Sequence, residues 1–393
     1  MRPPSRPSQR TLTTRRYSAG CTTLARTKSL ETTEDEPSNL EARIASAISL
    51  AGPRNVAEIS RLTRVHPETV RYKIKKRFER LGFRFHADVN LAKLGLQPNV
   101  ATLNFSRAYY DKATKILGRL NDVGYLTFYG KIVPQGHFIA EFALPEGKAE
   151  QYERFLSRLK ARGILDGFAL NHITAGRSKT MDARFFNFSS GRWEVDWERV
   201  RSLAATPLTI EKASAASDLD YQDLLVVKEL QKDARQHLTD IARKLKLHQK
   251  ALEYHYRTHV QGRELVPSYK IRWTQDTAKR PAHASVITTR LTFQNLTPAE
   301  YHSIQSAISK IPFLWTESVL DNKAYVATLN VPVLDILEVS NYINDAISDS
   351  GGKMEMGYIR PSQAHSYTIP YNMFQKGEWR FAVSEMDSAL RRS

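Results

Sequence analysis

Several features of enzymes, disulfide-bonded proteins and membrane proteins are missing from this sequence. Its 393 residues include one cysteine, Cys21, which excludes an intrachain disulfide and a cysteine-based zinc or cluster site. This composition favours a reducing compartment, and we expect a cytoplasmic protein. No apolar run approaches the roughly 18 residues that predict a membrane span. The sequence also lacks H-E-x-x-H, G-x-S-x-G and a glycine-rich phosphate loop, so we expect neither enzymatic activity nor a cofactor.

Acidic residues are in deficit along the chain. Against 58 Lys and Arg there are 41 Asp and Glu, which gives a formal net charge of +17. Such a balance favours nucleic acid or an acidic membrane surface as the partner. Residues 1–30 hold seven Lys or Arg, no acid and almost no large apolar side chain. Because burial cannot offset the ordering entropy of such a segment, we predict a disordered basic tail over residues 1–38.

The chain contains an internal repeat with a shift of 182 residues. The stretch VAEISRLTRVHPETVRYKI from Val56 aligns with LTDIARKLKLHQKALEYHY from Leu238. The residues of the first copy that meet an identical residue in the second are Ile59, Arg61, His66 and Tyr72. A second match lies near the end of each copy, where residues 188–193 and 374–379 share the pattern F-x-x-G-x-W. Two matches in the same order indicate a duplication.

Each copy is predicted to begin with three helices and to continue in a βαββαβ order. The helical segments are residues 40–51, 56–63 and 67–81 in the first copy, and 221–233, 238–245 and 249–262 in the second. Val70, Ile74, Phe78 and Leu81 form one apolar stripe along the third helix. Strands and helices then follow the ferredoxin-like order over 98–174 and 283–360. The predicted fold class is α+β, with the helical unit and the ferredoxin-like unit each present twice.

The third helix of the first copy is strongly basic. Residues 65–85 hold seven Lys or Arg against two Glu. Two short helices joined by a tight turn, with the second one basic, are typical of a helix-turn-helix whose recognition helix enters the major groove of DNA. The candidate base contacts are Glu68, Thr69, Arg71, Tyr72 and Lys73. The candidate phosphate contacts are Lys75, Lys76, Arg77 and Arg80, with Lys250 and Arg257 in the second copy.

The opening of the second copy resembles the leucine-responsive, Lrp/AsnC-type transcription regulators. The resemblance lies in LDYQDLLVVKELQKDARQHLTDIARKLKLHQKALEYHYR, residues 219–257, with Leu219-Asp220, Asp223 and Asp233-Ala234-Arg235 as its main features. It implies a winged helix-turn-helix followed by a ferredoxin-like domain, twice over residues 39–361. It also implies binding to double-stranded DNA, self-association through the ferredoxin-like domains, and an amino acid or similar small effector. The effector turn would lie near Gly136 or Asp321, although neither copy keeps a convincing pattern there.

The predicted organisation has seven parts. They are a disordered basic tail (1–38), a winged helix-turn-helix (39–97), a ferredoxin-like domain (98–176), an aromatic segment and linker (177–218, the linker itself being 204–218), a degenerate second winged helix-turn-helix (219–280), a second ferredoxin-like domain (281–361) and an aromatic C-terminal segment (362–393). Residues 37–84 hold eleven Lys or Arg and four acids, whereas residues 219–266 hold nine and seven. We therefore predict a covalent pseudo-dimer in which the first copy reads an asymmetric DNA site and the second mainly supports assembly.

Other interpretations compete with a sequence-preferring DNA-binding regulator. A nonspecific nucleoid-type binder suits the basic tail and the net charge. A siroheme-decarboxylase-like enzyme has the same two-part architecture, but the His- and Trp-containing stretches of those enzymes are not visible, and His137 stands alone on a predicted strand. His255 and His259 have the i, i+4 spacing of metal ligands, but no acidic or cysteine partner follows them at a useful spacing. We interpret them as polar surface histidines and predict no metal site.

Overall fold

The computed structural model describes residues 39–208, 217–273, 286–348 and 351–391. The predicted tail, residues 1–38, lies outside these ranges, and so does part of the predicted linker, residues 209–216. Over the described ranges the chain is mixed α and β, with a helical unit followed by a ferredoxin-like unit in each half. The predicted fold class is thus confirmed. Every helix in the described ranges is too short or too polar to cross a bilayer.

Three helices open the first copy. They are α1 (Leu40–Ala51), α2 (Val56–Thr63) and α3 (Pro67–Tyr72), and α3 continues as a π-helical turn, Lys73–Phe78. Gly52 ends α1 with a positive φ of 79°, a conformation that glycine adopts at little cost. Val70, Ile74 and Phe78 are buried, which confirms the predicted apolar stripe over these residues. The third helix therefore packs on its two predecessors and leaves its opposite face in solvent.

The first ferredoxin-like unit follows the strand β1 (Phe83–Asp88). Its elements are β2 (Leu96–Phe105), α4 (Ala113–Val123), β3 (Leu126–Val133), β4 (Phe138–Pro145), α5 (Ala149–Ala161) and β5 (Leu165–Ser178). A short hairpin, β6 (Phe186–Asn187) and β7 (Arg192–Trp193), and the helix α6 (Trp197–Ser202) come next. These bounds agree with the predicted βαββαβ order, with β5 extending beyond the predicted end at residue 174.

The second copy repeats this order. Its helical unit is α7 (Tyr221–Lys232), α8 (Leu238–Leu245) and α9 (Gln249–Tyr254), which continues as a π-helical turn, His255–Gln261. The remaining elements are β8 (Ser268–Trp273), β9 (Val286–Gln294), α10 (Pro298–Lys310), β10 (Leu314–Leu320), β11 (Tyr325–Pro332), α11 (Ile336–Ile347), β12 (Lys353–Ser366), β13 (Phe374–Gln375), β14 (Glu378–Trp379) and α12 (Val383–Arg391).

Residues aligned by the 182-residue shift occupy equivalent places. His66 and His248 both cap the third helix, each accepting a hydrogen bond from the backbone N–H two residues later. Arg64 and Lys246 both end the second helix in the left-handed region. The shift therefore relates local structure as well as residue identity.

The two ferredoxin-like units form one closed antiparallel sheet of eight strands. Its order is β10-β11-β9-β12-β3-β4-β2-β5, and it closes because β5 pairs with β10. The other junction between the copies joins β3 to β12. Gly130 and Gly357 allow close approach there, since a Cβ on Gly130 would lie 2.7 Å from the Ile359 side chain and one on Gly357 would collide with Ile132. Within the closed sheet, the two halves are thus held together by backbone hydrogen bonds at two junctions.

The helical units of the two copies also share a ribbon. β1 of the first copy pairs with β8 of the second, with Phe85 opposite Ile271. α1 packs on β8, whereas α7 packs on β1, so the first helix of each copy contacts the strand of the other. Each copy therefore supplies one strand of a wing that the two copies have in common.

The aromatic segments pack on the opposite copy as well. Trp193 and Trp197 contact Phe313 of the second ferredoxin-like unit, while α12 packs on α4 and α5 of the first. The F-x-x-G-x-W alignment equates Phe188 with Phe374, but strand pairing places Phe186 opposite Trp193 and Phe374 opposite Trp379. The structural equivalent of Phe374 is therefore Phe186, because the first hairpin has a longer loop. Because Phe186 and Phe188 also pack on Phe83 of the first copy, the first segment bridges the two copies.

Candidate nucleic-acid interface

The third helix of the first copy presents a basic outer surface. His66 caps the helix and Pro67 occupies the first turn, where a missing N–H costs nothing. The buried stripe fixes the rotation of the helix. The π-helical turn Lys73–Phe78 interrupts its regular repeat, as such turns often do near functional sites. Among the charged side chains between the buried positions, those of Arg71, Lys75 and Lys76 are consequently exposed.

Four of the five candidate base contacts lie at the accessible N-terminal part of this helix. Glu68 and Arg71 are exposed and form an ion pair with each other. Tyr72 is 61% exposed, and Tyr254, its equivalent in the second copy, is 56% exposed. Thr69 is half-buried. A large aromatic ring is thus exposed at the same place in both copies. Such a ring either contacts a partner outside the described fold or keeps its hydroxyl group hydrated.

Lys73 and Arg77 are turned inward instead. The Nζ atom of Lys73 lies 2.5 Å from Oε1 of Glu41 on α1, and the Lys73 side chain is 21% exposed. The Arg77 guanidinium donates a hydrogen bond to the backbone carbonyl of Phe188 in the aromatic segment. Lys73 therefore joins the helix to α1 and Arg77 joins it to the aromatic segment. Sequence reasoning missed both contacts because Glu41 and Phe188 are 32 and 111 positions away.

The remaining phosphate candidates of the first copy are free. Lys75, Lys76 and Arg80 are exposed, and their side chains have no hydrogen-bond or ion-pair partner among the described residues. Together with Tyr72 and Glu79 they line one open depression on the helix surface. We call Lys75, Lys76 and Arg80 the basic triad. Three unneutralised cations on one helical surface form a favourable site for a polyanion.

Charges on α2 are already neutralised. Arg61 is hydrogen-bonded to Glu58 at 2.8 Å, and this hydrogen bond lowers the pKa of Glu58 below its usual value. Arg243 and Asp240 repeat this i, i+3 pair on α8. The unneutralised charge of the first helical unit is thus concentrated on its third helix.

The second copy has a weaker basic surface. Lys250 and Arg257 are exposed on its third helix, and their role as phosphate contacts stays a prediction. Between them, Glu253 accepts a hydrogen bond from Gln249 at 2.9 Å. His255 and His259 are largely buried against Asp223 on α7, with 13% of each side chain exposed. The expectation of polar surface histidines without an acidic partner is therefore wrong, since the carboxylates precede them in the chain.

The turns considered for an effector have structural partners. The carbonyl of Gly136, in the β3–β4 turn, accepts a hydrogen bond from the Tyr110 hydroxyl at 3.2 Å. The carboxylate of Asp321, in the β10–β11 turn, accepts one from the His172 backbone N–H at 3.1 Å. Burial lowers the pKa of His137, which lies beside the β3–β12 junction. Effector binding at these turns stays a prediction.

Comparison with known proteins identifies fold relatives only. No family model and no curated protein matches this sequence. The solved structure of the siroheme decarboxylase NirDL matches over 90% of this chain and 100% of its own, with 10% identity and a TM-score of 0.52. The co-complex of NirDL with an iron-uroporphyrin III analogue gives the same coverage, 9% identity and a TM-score of 0.54. B. subtilis LrpC matches over 36% of this chain and 94% of its own, with 20% identity and a TM-score of 0.28.

The likeness to NirDL concerns the whole architecture. NirDL is built from tandem winged-helix and ferredoxin-like units, the order found in this chain. At this identity the likeness establishes a common fold and not a common activity. The TM-score with LrpC is too low to bear on the fold. The expectation of no enzymatic activity stays a prediction.

Proposed function

We propose that this chain is a DNA-binding transcription regulator that reads duplex DNA mainly with the third helix of its first copy. The observation that carries the proposal is the basic triad, Lys75, Lys76 and Arg80, exposed and without partners in the described structure. On the same helix, Lys73 is held by an ion pair with Glu41 and Arg77 by a hydrogen bond to the Phe188 carbonyl, whereas the three side chains of the basic triad make no such contact among the described residues. Their positive charge is available to a polyanion.

The geometry of the helix suits the major groove. An α-helix fits this groove, and side chains at its N-terminal end reach base edges. Glu68, Thr69, Arg71 and Tyr72 occupy that end, so they are the proposed base contacts. The basic triad lies further along, where it would contact phosphates and supply affinity.

The second copy supports assembly in this proposal. Closure of the eight-stranded sheet and the shared ribbon within one chain provide the contacts that two subunits would otherwise make. Lys250 and Arg257 add a smaller basic surface to the second third helix. Because the two helices differ in charge, the DNA site should be asymmetric.

Removal of the basic triad tests this function. In the variant Lys75→Ala/Lys76→Ala/Arg80→Ala, affinity for duplex DNA should fall on the order of 100-fold near physiological salt, because three phosphate contacts are lost. The slope of log K against log salt should become shallower by about 2 to 3 units. Binding would be measured across a salt series on genomic fragments that include the region upstream of its own gene.

The matched control is Lys115→Ala/Lys160→Ala/Lys323→Ala, which removes three exposed cations from the ferredoxin-like units. This variant should bind like the original chain. A chain lacking residues 1–38 should keep its sequence preference. If the triad variant still binds and the truncated chain does not, the protein is a nonspecific binder that uses its tail. Footprints with two equivalent half-sites would contradict the asymmetric assignment of the two copies.

A tetrapyrrole enzyme is the second candidate, since the fold is shared with NirDL over 90% of this chain. Under the regulator proposal, addition of siroheme or of an iron-uroporphyrin to the purified chain should leave the absorption spectrum of the tetrapyrrole unchanged. Spectra would be recorded during a titration, with serum albumin as the control for nonspecific uptake. Saturable binding of one tetrapyrrole per chain, together with loss of carboxylate carbon as carbon dioxide, would favour the enzyme.

A further inference from the structure

Two histidines and two aspartates converge inside the second helix-turn-helix. His255 and His259 lie in the π-helical turn after α9, and Asp220 and Asp223 lie at the start of α7. One ligand atom from each of these residues lies within 4.8 Å of all the others. We propose that the His255, His259, Asp220 and Asp223 side chains, here called the His-Asp cluster, bind a divalent transition-metal ion of the zinc type.

The distances suit a tetrahedral ion. Zinc bonds to nitrogen and oxygen of about 2.0–2.2 Å place neighbouring ligand atoms roughly 3.3–3.6 Å apart. Nδ1 of His255 lies 2.9 Å from Oδ1 of Asp223 and 3.3 Å from Oδ2 of Asp220. Nδ1 of His259 lies 2.9 Å and 3.9 Å from the same two atoms. These four distances straddle the tetrahedral value, so small side-chain rotations would admit an ion.

The carboxylates are oriented by the start of α7. Oδ1 of Asp220 accepts a hydrogen bond from the Asp223 backbone N–H at 2.9 Å, and Oδ2 of Asp223 accepts one from the Asp220 N–H at 3.2 Å. This capping box engages one oxygen of each carboxylate and leaves the other facing the imidazoles, while Oδ2 of Asp223 also lies 3.0 Å from Nδ1 of His259. Such outer hydrogen bonds orient ligands in known metal sites.

The types of ligand atom in the His-Asp cluster indicate which class of metal ion it would bind. Two imidazole nitrogens and two carboxylate oxygens suit zinc, cobalt or another first-row divalent ion, whereas calcium and magnesium favour oxygen ligands alone. Asp223 is fully buried, and 13% of each imidazole is exposed. A positive ion would neutralise the buried Asp223 carboxylate, where unpaired charge is costly, whereas the Asp220 side chain is 45% exposed.

The first copy provides an internal contrast. The 182-residue shift aligns Glu41 with Asp223, Lys73 with His255 and Arg77 with His259. Lys73 and Glu41 join the first and third helices by a direct ion pair at 2.5 Å. An ammonium or guanidinium group has no lone pair to offer a metal, whereas an imidazole does. The second copy has therefore replaced a helix-to-helix ion pair with groups that can ligate an ion in the same place.

Metal titration of the tag-free full chain tests the site. After dialysis against EDTA and then metal-free buffer, Co²⁺ would be added and its visible d–d absorption recorded, followed by displacement with Zn²⁺. We expect one Co²⁺ per chain and displacement by one Zn²⁺. The variant His255→Lys/His259→Arg carries the residues of the first copy, so it can keep the contact with Asp223. Its affinity for Co²⁺ should fall at least about 100-fold, since even outer-shell changes cost about 10–100-fold.

The control variant His237→Ala/His302→Ala removes two exposed histidines elsewhere and should bind Co²⁺ normally. A second variant, Asp220→Asn, keeps an oxygen for the helix cap, removes one charged ligand and should weaken binding at least tenfold, the lower end of the outer-shell range. Circular dichroism would establish that each variant is folded. The proposal is overturned if the original chain shows no saturable binding, or if both ligand variants bind Co²⁺ as tightly as the control.

Discussion

Replacing Glu317 with Ala should lower the free energy of unfolding by about 3–5 kcal/mol, the usual cost of removing one partner from a buried ion pair. The Glu317 side chain is fully buried on β10. Its Oε1 atom accepts a hydrogen bond from Arg177 Nε at 2.6 Å across the β5–β10 junction. Its Oε2 atom accepts from Gln305 at 3.1 Å and from the Tyr325 hydroxyl at 2.7 Å. Loss of the carboxylate removes the acceptor that Arg177, Gln305 and Tyr325 share where the sheet closes. Denaturant unfolding followed by circular dichroism would measure the change.

Asp345→Ala is the matched control, because Asp345 forms an ion pair with Arg201 at 3.1 Å in which the side chains are 64% and 43% exposed. Exposed pairs of this kind contribute about 0–1 kcal/mol. Both variants remove one carboxylate that pairs with an arginine of the first copy, so they differ mainly in burial. Equal losses of stability in the two variants would show that the Glu317 network does not hold the junction.

Replacing Phe188 with Ala should lower the free energy of unfolding by about 3–5 kcal/mol, as truncation of a buried phenylalanine leaves a cavity. Phe188 is 2% exposed. Its ring centroid lies 5.6 Å from that of Phe78, 5.7 Å from that of Phe83 and 5.0 Å from that of Phe186. Because Phe78 belongs to the basic third helix, this cluster ties the aromatic segment to the proposed reader. Thermal and denaturant unfolding would be compared with the original chain.

A double-mutant cycle of Phe188→Ala and Phe78→Ala separates the free energy of packing between these two rings from stability that each variant loses for other reasons. The two truncations should couple by about 0.5–1.5 kcal/mol, the range found for aromatic pairs. Leu337→Ala serves as the control, since Leu337 is 73% exposed and its truncation should change stability by less than about 0.5 kcal/mol. Additive effects of Phe188→Ala and Phe78→Ala would mean that the segment does not brace the helix.

The secondary structure followed closely from sequence patterns. The third helix was predicted from Val70, Ile74 and Phe78, which recur at the helical period and are buried. Helix α10, Pro298–Lys310, lies within the predicted ferredoxin-like segment 283–360, and a Thr297 capping box and a proline in the first turn mark its start. Such signals are local, and they act before any tertiary contact forms. The duplication was also visible in the sequence, because aligned positions have the same structural role in both copies. His66 and His248, for example, both cap the third helix.

The candidate site was predicted less completely. Charge and periodicity placed Lys75, Lys76 and Arg80 on the outer surface. The same reasoning assigned Lys73 and Arg77 to DNA, although Glu41 and the Phe188 carbonyl bind them. Periodicity gives the face of a helix on which a residue lies, but a long cationic side chain can turn either way. Its direction depends on partners that are distant in sequence.

From the amino-acid order alone came the α+β class, two copies of one plan, and a basic third helix in the first copy. These features rest on composition, period and short-range capping, which are properties of neighbouring residues. Tertiary structure alone decided how the copies combine: β5 pairs with β10, β1 pairs with β8, and each aromatic segment packs on the opposite copy. It also brought Asp223 to His255 across 32 positions. Contacts of this kind depend on which surfaces meet when the chain folds, and a pattern of neighbouring residues in the sequence does not predict which surfaces these are.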